Sequence, residues 1–191
     1  MRTVKVIDLE TTGFSRLKDE IAEMAVITLD AKLNPVSYKD WYFNIYDEMP
    51  EEAYKVNQLN KATLEKLSGG KYFEDMKEEV AEELRDCIIV AHNAKFEREF
   101  LEAKVGASLK PYKWICTMER YTPTLRLPGR NGNFKSPKNI ELVNYTLQVK
   151  HRTAEDLASD FNTFTNSTGT ARFHNGLYDA FGTAFALKAL G

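Results

Sequence analysis

The stretch VKVIDLETTG (Val4–Gly13) places two acids at the end of an apolar run. Side chains alternate between the two faces of a β-strand, so Asp8 and Glu10 should share one face while Ile7 and Leu9 point to the other. Two neighbouring carboxylates repel and raise each other's pKa. This pair therefore needs a compensating group, which another part of the chain or a bound cation has to supply.

We expect one domain over residues 1–191, because 191 residues with 43% hydrophobic content suffice for one core. The order of strands and helices described below predicts that this domain is of the α/β class. The 26 Lys and Arg nearly balance the 28 Asp and Glu, which leaves a net charge of -2. A polyanion would not be attracted by the chain as a whole. Affinity for nucleic acid must come from a local basic patch or from bound cations.

Cys87 and Cys116 lie in apolar surroundings without the spacing of metal ligands, which is typical of a reduced intracellular protein. The first residues, MRTVKVID, contain no long apolar segment. No stretch approaches the length that spans a bilayer. We therefore expect a soluble cytoplasmic protein without membrane contact.

Short polar connections predict that the first three strands form an antiparallel meander. Further on, CIIVA is continuously apolar, as expected of a central strand buried on both faces. Together these segments predict a mixed five-stranded sheet, an antiparallel meander followed by parallel strands, with helices on both faces. The predicted strands are Val4–Glu10, Ile21–Leu29, Trp41–Tyr46, Cys87–Ala91 and Tyr112–Met118.

After Pro50, segments with apolar residues at helical spacing alternate with the remaining strands. The predicted helices are Glu51–Asn57, Thr63–Leu67, Phe73–Arg85, Ala94–Val105, Asn139–Leu147, Ala154–Phe164 and Gly176–Leu190. The polar run Thr165–Thr170 is predicted to be a loop. Leu125–Lys138 is rich in Gly, Pro and Asn, has four basic residues and no acid, and is predicted to be an exposed loop. Such a loop is usually just solvated, and binding of a phosphate backbone is the alternative.

Two later segments carry groups that could join the first pair of acids. In AHNAKFEREFL (Ala91–Leu101), Glu97 lies in the opening turns of a helix. In HNGLYDAFGTAFAL (His174–Leu187), His174 precedes a helix and Asp179 lies inside it among small and apolar residues. Because buried helix faces seldom accept an unpaired carboxylate, Asp179 needs a partner.

A divalent cation removes the difficulty, because hard ions such as Mg²⁺ bind carboxylate oxygens and neutralise their repulsion. Two such ions about 3.5 to 4 Å apart can hold the attacking and leaving oxygens of a phosphodiester. A nearby histidine with an ordinary pKa near 6.5 can take a proton from the attacking water. The acids and His174 together indicate phosphodiester hydrolysis.

The motifs DLETTG, HNAKFE and HNGLYD, in this order, resemble those of the DnaQ-like (DEDDh) 3′-to-5′ exonucleases, which have a ribonuclease H-like fold. KWICTMERYTP and FHNGLYDAFGTAFAL are most similar to the exonuclease X branch of that family. The resemblance implies stepwise hydrolysis from the 3′ end of a nucleic acid, DNA rather than RNA, with release of nucleoside 5′-monophosphates. It also implies two divalent cations, Mg²⁺ with Mn²⁺ as a substitute.

The same resemblance implies a role for each matching residue. His174 would be the general base. The metal ligands would be Asp8, Glu10, Asp179 and Glu97; the site of the 3′-terminal nucleotide would be lined by Thr11, Thr12 and Phe14, with His92 and Asn93 close by.

Glu97 departs from the family pattern, which has Asp at this position. The longer side chain carries its carboxylate about one bond further, and catalysis is sensitive to displacements of about 1 Å. Glu97 therefore either serves the second ion through another rotamer or a water, or leaves that ion weakly bound. A plain helix-start acid is a further interpretation, because the helix dipole favours acids in the first turn.

Several alternatives stay open at the level of sequence. Asn93 is either a helix cap or a substrate contact, and Phe14 either covers the core edge or stacks on a base. The substrate could be RNA, or the protein could be a binding or polymerase-associated proofreading module whose chemistry is weakened at Glu97. Whether the chain forms a homodimer or pairs with a polymerase is also open.

Overall fold

A five-stranded mixed sheet forms the centre of the fold in the computed structural model, which describes residues 2–168 and 175–191. The strand order is β3-β2-β1-β4-β5. Strand β1 pairs antiparallel with β2, and β2 with β3, whereas β1, β4 and β5 run parallel. The predicted meander followed by parallel strands is thus confirmed. The strands are β1 Val4–Thr11, β2 Ile21–Leu29, β3 Pro35–Tyr42, β4 Ile88–Ala91 and β5 Lys113–Cys116.

Helices cover both faces of this sheet, as predicted. The face that carries Ile7 and Leu9 packs against α3 and α4, and the face that carries Val6 packs against α6, α7 and α8. The alternation of side chains along β1 divides the core in this way. The described helices are α1 Glu51–Asn57, α2 Lys61–Ser68, α3 Phe73–Glu83, α4 Ala94–Val105, α5 Thr117–Leu125, α6 Asn139–Val149, α7 Ala154–Thr165 and α8 Gly176–Leu190.

The prediction of a third strand at Trp41–Tyr46 was wrong, because β3 covers Pro35–Tyr42 instead. This is an edge strand, and Val36–Lys39 are exposed, so it lacks the apolar run by which a buried strand is identified. Beyond Tyr42 the chain leaves the sheet, and the backbone N–H of Asn44 donates to the carbonyl of Lys71.

The predicted strand Tyr112–Met118 was too long, since β5 ends at Cys116 and α5 begins at Thr117. Sequence reasoning missed α5, a nine-residue helix that contains Pro123 and buries only Thr117 and Tyr121. So short a helix with two buried side chains gives little periodicity. The other helices agree with prediction to within two residues at each end.

The basic segment Leu125–Lys138 is irregular beyond the end of α5, with one 3-10 turn at Arg130–Gly132, and this confirms the predicted loop. The predicted loop Thr165–Thr170 falls partly outside the described residues, which stop at 168 and resume at 175. Within the described part of the chain, no helix combines the length and the apolar character that crossing a membrane requires.

Candidate active site

The carboxyl ends of the parallel strands β1 and β4 meet at one edge of the sheet and carry the first site residues. Val6 of β1 is level with Val90 of β4, so Asp8 and His92 both follow two residues later. Asp8 and Glu10 lie on the same side of β1 as Val6, which is the face that α8 covers. Ligand sites in such sheets characteristically lie beyond the carboxyl ends of the strands.

Helix α8 brings the third acid to this edge. Its N-cap residue is Asn175, whose side chain accepts a hydrogen bond from the backbone N–H of Tyr178 at 3.2 Å. Asp179 lies in the first turn and is only 7% exposed. One oxygen each of Asp8, Glu10 and Asp179 lies within 4.8 Å of the others. Residues separated by about 170 positions in sequence therefore form one carboxylate cluster.

The electrostatics of this cluster are unfavourable in the protein alone. Burial, followed by the charges of Asp179 and Glu10, raises the pKa of Asp8 well above its usual value. Burial and then the charge of Asp179 raise the pKa of Glu10 to about 8. Both shifts show that the ionised carboxylates lack compensating positive charge.

Glu97 reaches the same cavity from the other side of the sheet. It lies in the first turn of α4, which packs on the face of Ile7 and Leu9, and its carboxyl is outside the 4.8 Å cluster. The side chain is 4% exposed, and burial raises its pKa to about 8. Its charge also contributes to the raised pKa of Asp8. Exposed first-turn acids usually gain from the helix dipole in water, so this burial is unusual for a simple helix-start acid.

The donor set fits a hard divalent cation. All four groups are carboxylates, the ligands that Mg²⁺ and Mn²⁺ prefer. Within residues 2–168 and 175–191, Oε2 of Glu97 is buried and has no hydrogen-bond partner. A buried carboxylate oxygen without a donor is costly, and a cation would supply the missing partner. The chemistry of the site therefore supports the predicted metal site at Asp8, Glu10 and Asp179, with Glu97 beside it.

Four acids and Phe14 line one cavity of about 550 Å³. His174, the predicted general base, lies outside the described residues. The cavity is lined by Asp8, Leu9, Glu10, Phe14, His92, Asn93, Phe96, Glu97, Lys138, Asn139, Ile140 and Asp179.

Thr11 is the last residue of β1, and Thr12 begins the turn that follows it. The Thr11 hydroxyl donates to the carbonyl of Gly13 at 2.6 Å, and the Thr12 hydroxyl accepts from the backbone N–H of Glu20 at 2.9 Å. Both residues line a second cavity of about 290 Å³ beside the first. The turn therefore shapes the wall of a groove that leads to the acids.

The Phe14 side chain is 93% exposed to solvent. It makes an edge-to-face contact with Phe96, whose ring centroid lies 6.4 Å away, and both rings line both cavities. So exposed a ring does not cover the core edge. An aromatic face held beside a polar cleft is suited to stacking on a nucleobase.

His92 and Asn93 differ in the freedom of their side chains. His92 is buried, with Nδ1 3.1 Å from the Thr117 hydroxyl and Nε2 2.9 Å from the carbonyl of Pro137. Because a carbonyl only accepts, Nε2 carries the proton, and burial lowers the pKa of the ring. Asn93 occupies the N-cap position of α4 without a capping bond from its side chain, which is exposed at the cavity.

Sequence reasoning did not assign Phe96, Asn139 or Ile140 to the site. Asn139 is the first residue of α6; its side-chain N–H donates to the carbonyl of Asp179 at 3.1 Å, and its Oδ1 accepts from the Thr183 hydroxyl at 3.3 Å. Lys138, at the end of the basic loop, also lines the cavity. Only Lys138 had a signal in the sequence, since it belongs to the basic loop.

Comparisons with known proteins identify the family and the fold of this chain. A family model for RNase T, described as an exonuclease, matches residues 6–186. The 3′-5′ exonuclease DinG of Staphylococcus aureus (strain MRSA252) is 27% identical over 162 residues, which cover 83% of this chain and 17% of DinG. The chain thus spans less than a fifth of the length of that curated relative.

Solved structures share the fold. Exonuclease X in complex with 5′ overhanging duplex DNA matches with a TM-score of 0.64 and 21% identity, over 97% of this chain and 89% of that chain. Exonuclease I of E. coli with a dT13 oligonucleotide matches with a TM-score of 0.68 and 12% identity, over 98% of this chain and 40% of that chain. These likenesses confirm the predicted ribonuclease H-like fold. Because the family model covers nearly all of the chain, the protein belongs to the RNase T exonuclease family.

Proposed function

We propose that this chain is a metal-dependent 3′-to-5′ exonuclease that removes nucleoside 5′-monophosphates from the 3′ ends of DNA. One observation carries the proposal: oxygens of Asp8, Glu10 and Asp179 meet within 4.8 Å in an open cavity. Family membership gives the reaction class, and the 3′-to-5′ direction is that of the DinG relatives.

Two divalent cations complete the proposed site, Mg²⁺ with Mn²⁺ able to substitute. Asp8, Glu10 and Asp179 would hold them, and Glu97 would support the second. When bound, such ions stabilise the charge that develops on the phosphate and lower the pKa of an attacking water. Neutralising the acids would also relieve the repulsion that raises the pKa of Asp8 and Glu10.

The protein's own groups would bind and orient the strand. Phe14 and Phe96 would stack on the terminal bases, and the Thr11–Thr12 turn would limit how deep the 3′ end can enter. A ring nitrogen of His174 would take the proton of the attacking water, a role that rests on the motif HNGLYD. Lys138 would contact a phosphate, and His92 would fix the end of its loop through Pro137.

DNA is the proposed substrate class. Exonuclease X and exonuclease I were solved with duplex DNA and a dT13 oligonucleotide, and this chain shares their fold. Discrimination against RNA depends on how the site contacts the 2′-hydroxyl.

Both thiols, Cys87 and Cys116, are free, which supports the proposal of a reduced, cytoplasmic setting.

The test is degradation of matched DNA and RNA oligonucleotides, each labelled at the 5′ end, with and without Mg²⁺. We expect a ladder of products that shorten from the 3′ end of DNA, with nucleoside 5′-monophosphates released, and no shortening with Asp8→Ala. Preferential degradation of RNA would replace DNA as the substrate. Binding of 3′ ends without turnover, even in Mn²⁺, or activity that survives Asp8→Ala, would refute the proposed enzyme.

A further inference from the structure

A second pair of acids lies beside the carboxylate cluster on the same face of the sheet. Glu23 of β2 is directly opposite Glu10, and Tyr42 of β3 is directly opposite Glu23. In the next row, Ala25 is opposite both Asp8 and Asp40. Because residues that are directly opposite share a face, Glu23, Asp40 and Tyr42 all lie under α8.

Glu23 is in close contact with the start of α8. It is 1% exposed, and its carboxyl lies beside the backbone N–H of Leu177 and the Asp40 carboxyl. A Cβ atom added at Gly176 would lie 2.9 Å from Oε1 of Glu23, so the helix backbone rests directly on this side chain. Burial raises the pKa of Glu23 to about 9 and that of Asp40 to about 6.

Tyr42 extends the contact to the helix cap. Its hydroxyl lies beside the Asp40 carboxyl and the side chain of Asn175. Asn175 in turn accepts the backbone N–H of Tyr178 at 3.2 Å. The sheet therefore contacts three consecutive residues, 175 to 177, at the start of α8.

Asp179 follows this anchored turn by two residues. We propose that Glu23 and Tyr42 are positioning residues, which hold the first turn of α8 on the sheet and thereby place the Asp179 carboxyl against Asp8 and Glu10. Glu23 is outside the 4.8 Å carboxylate cluster and, unlike Glu97, does not line the cavity that holds the acids, so it acts through the helix and not as a ligand. The catalytic part of this inference rests on the proposed function.

The variants separate shape from charge. Glu23→Gln keeps an acceptor for the Leu177 N–H and a donor for Asp40, whereas Glu23→Ala removes both. Tyr42→Phe removes only the hydroxyl that joins Asp40 to Asn175. Thr146→Val is the control, because Thr146 is as buried as Glu23 but its hydroxyl bonds within α6, to the carbonyl of Leu142 at 2.8 Å.

Two readouts are needed, namely the affinity for Mn²⁺, measured from the electron paramagnetic resonance of free Mn²⁺, and the steady-state kcat and KM on DNA. We expect Glu23→Ala to weaken Mn²⁺ binding and kcat by about 10- to 100-fold, the usual effect of residues that orient ligands, with little change in KM. Glu23→Gln should restore most of both values. Tyr42→Phe should show a smaller loss of the same kind, and Thr146→Val should match the wild type.

Each contrary outcome has a distinct meaning. A folded Glu23→Gln protein that is as impaired as Glu23→Ala overturns the positioning role, because charge would then be what matters. Wild-type values in both Glu23→Ala and Tyr42→Phe overturn it as well, and Tyr42→Phe alone decides if Glu23→Ala does not fold. A wild type without nuclease activity refutes only the proposed function, since the Mn²⁺ affinities still test placement of Asp179. A wild type that does not bind Mn²⁺ refutes both.

Discussion

Glu97 is the residue at which stability and metal binding should oppose each other most clearly. Its carboxyl is 4% exposed, and Oε2 has no hydrogen-bond partner within residues 2–168 and 175–191. Replacing Glu97 by Gln keeps the shape of the side chain but removes the charge. Without metal, Glu97→Gln should therefore be more stable than the wild type at alkaline pH.

The magnitude follows from the pKa. Burial raises the pKa of Glu97 from 4.5 to about 8, so between these values the folded protein binds more protons than the unfolded chain. The free energy of unfolding then falls as pH rises through this window. Between about pH 6 and pH 9 this one group costs the wild type roughly 2 to 3 kcal/mol, since one pKa unit is about 1.4 kcal/mol. Glu97→Gln has no ionisable group at this position, so its free energy of unfolding does not fall for this reason.

The assay is urea unfolding of both proteins at the two pH values, with EDTA and with saturating Mg²⁺. The advantage of Glu97→Gln over the wild type should grow by about 2 to 3 kcal/mol from pH 6 to pH 9 in EDTA, and it should shrink or reverse in Mg²⁺. Glu102→Gln is the matched control, because Glu102 lies on the same helix and is exposed. An advantage that is independent of pH would refute the raised pKa of Glu97. An advantage that is unchanged by Mg²⁺ would refute the assignment of Glu97 to the metal site.

Three further expectations concern activity. Glu97→Asp should keep or raise the nuclease rate and Glu97→Ala should lower it; a neutral Glu97→Ala would make Glu97 only a helix-start acid. Phe14→Ala should raise KM for single-stranded DNA by about 5- to 150-fold, the equivalent of about 1 to 3 kcal/mol of stacking, with little change in kcat; an unchanged KM in steady-state assays would contradict stacking. Lys138→Ala should weaken binding of DNA and reduce the slope of log K against log salt by about one ion, measured by fluorescence anisotropy; an unchanged slope would remove the phosphate contact.

The sheet and the carboxylate cluster could be predicted from sequence because their signals are local. The alternation in VKVIDLETTG places Asp8 and Glu10 on one face, and the small residues around Asp179 identify a helix that packs closely on the sheet. The parallel pairing of β1 with β4 then brings the carboxyl ends of these two strands to one edge of the sheet. The structure confirms the proximity of these three acids.

Other features depend on tertiary contacts that leave no local signal. Edge strand β3 is exposed over Val36–Lys39, so its apolar pattern is lost. Glu23 looks like an ordinary polar residue in an apolar strand, and only the register with Tyr42 and the closeness of Gly176 reveal its burial. His92 likewise gives no hint that both ring nitrogens bond to protein groups far along the chain.

The position of Glu97 on the opposite face of the sheet gives a physical reason to expect that the length of its side chain affects metal binding. Asp8, Glu10 and Asp179 all lie on the side of α8, whereas α4 packs on the other side and its acid must reach around the edge of the sheet. A cation between the two groups would join both helical layers through the carboxyl end of β1. Because such a cation binds the folded state and not the unfolded chain, each increment of metal affinity adds to stability. The acids that destabilise the metal-free protein would therefore be the same groups that make its folded state dependent on the proposed cation.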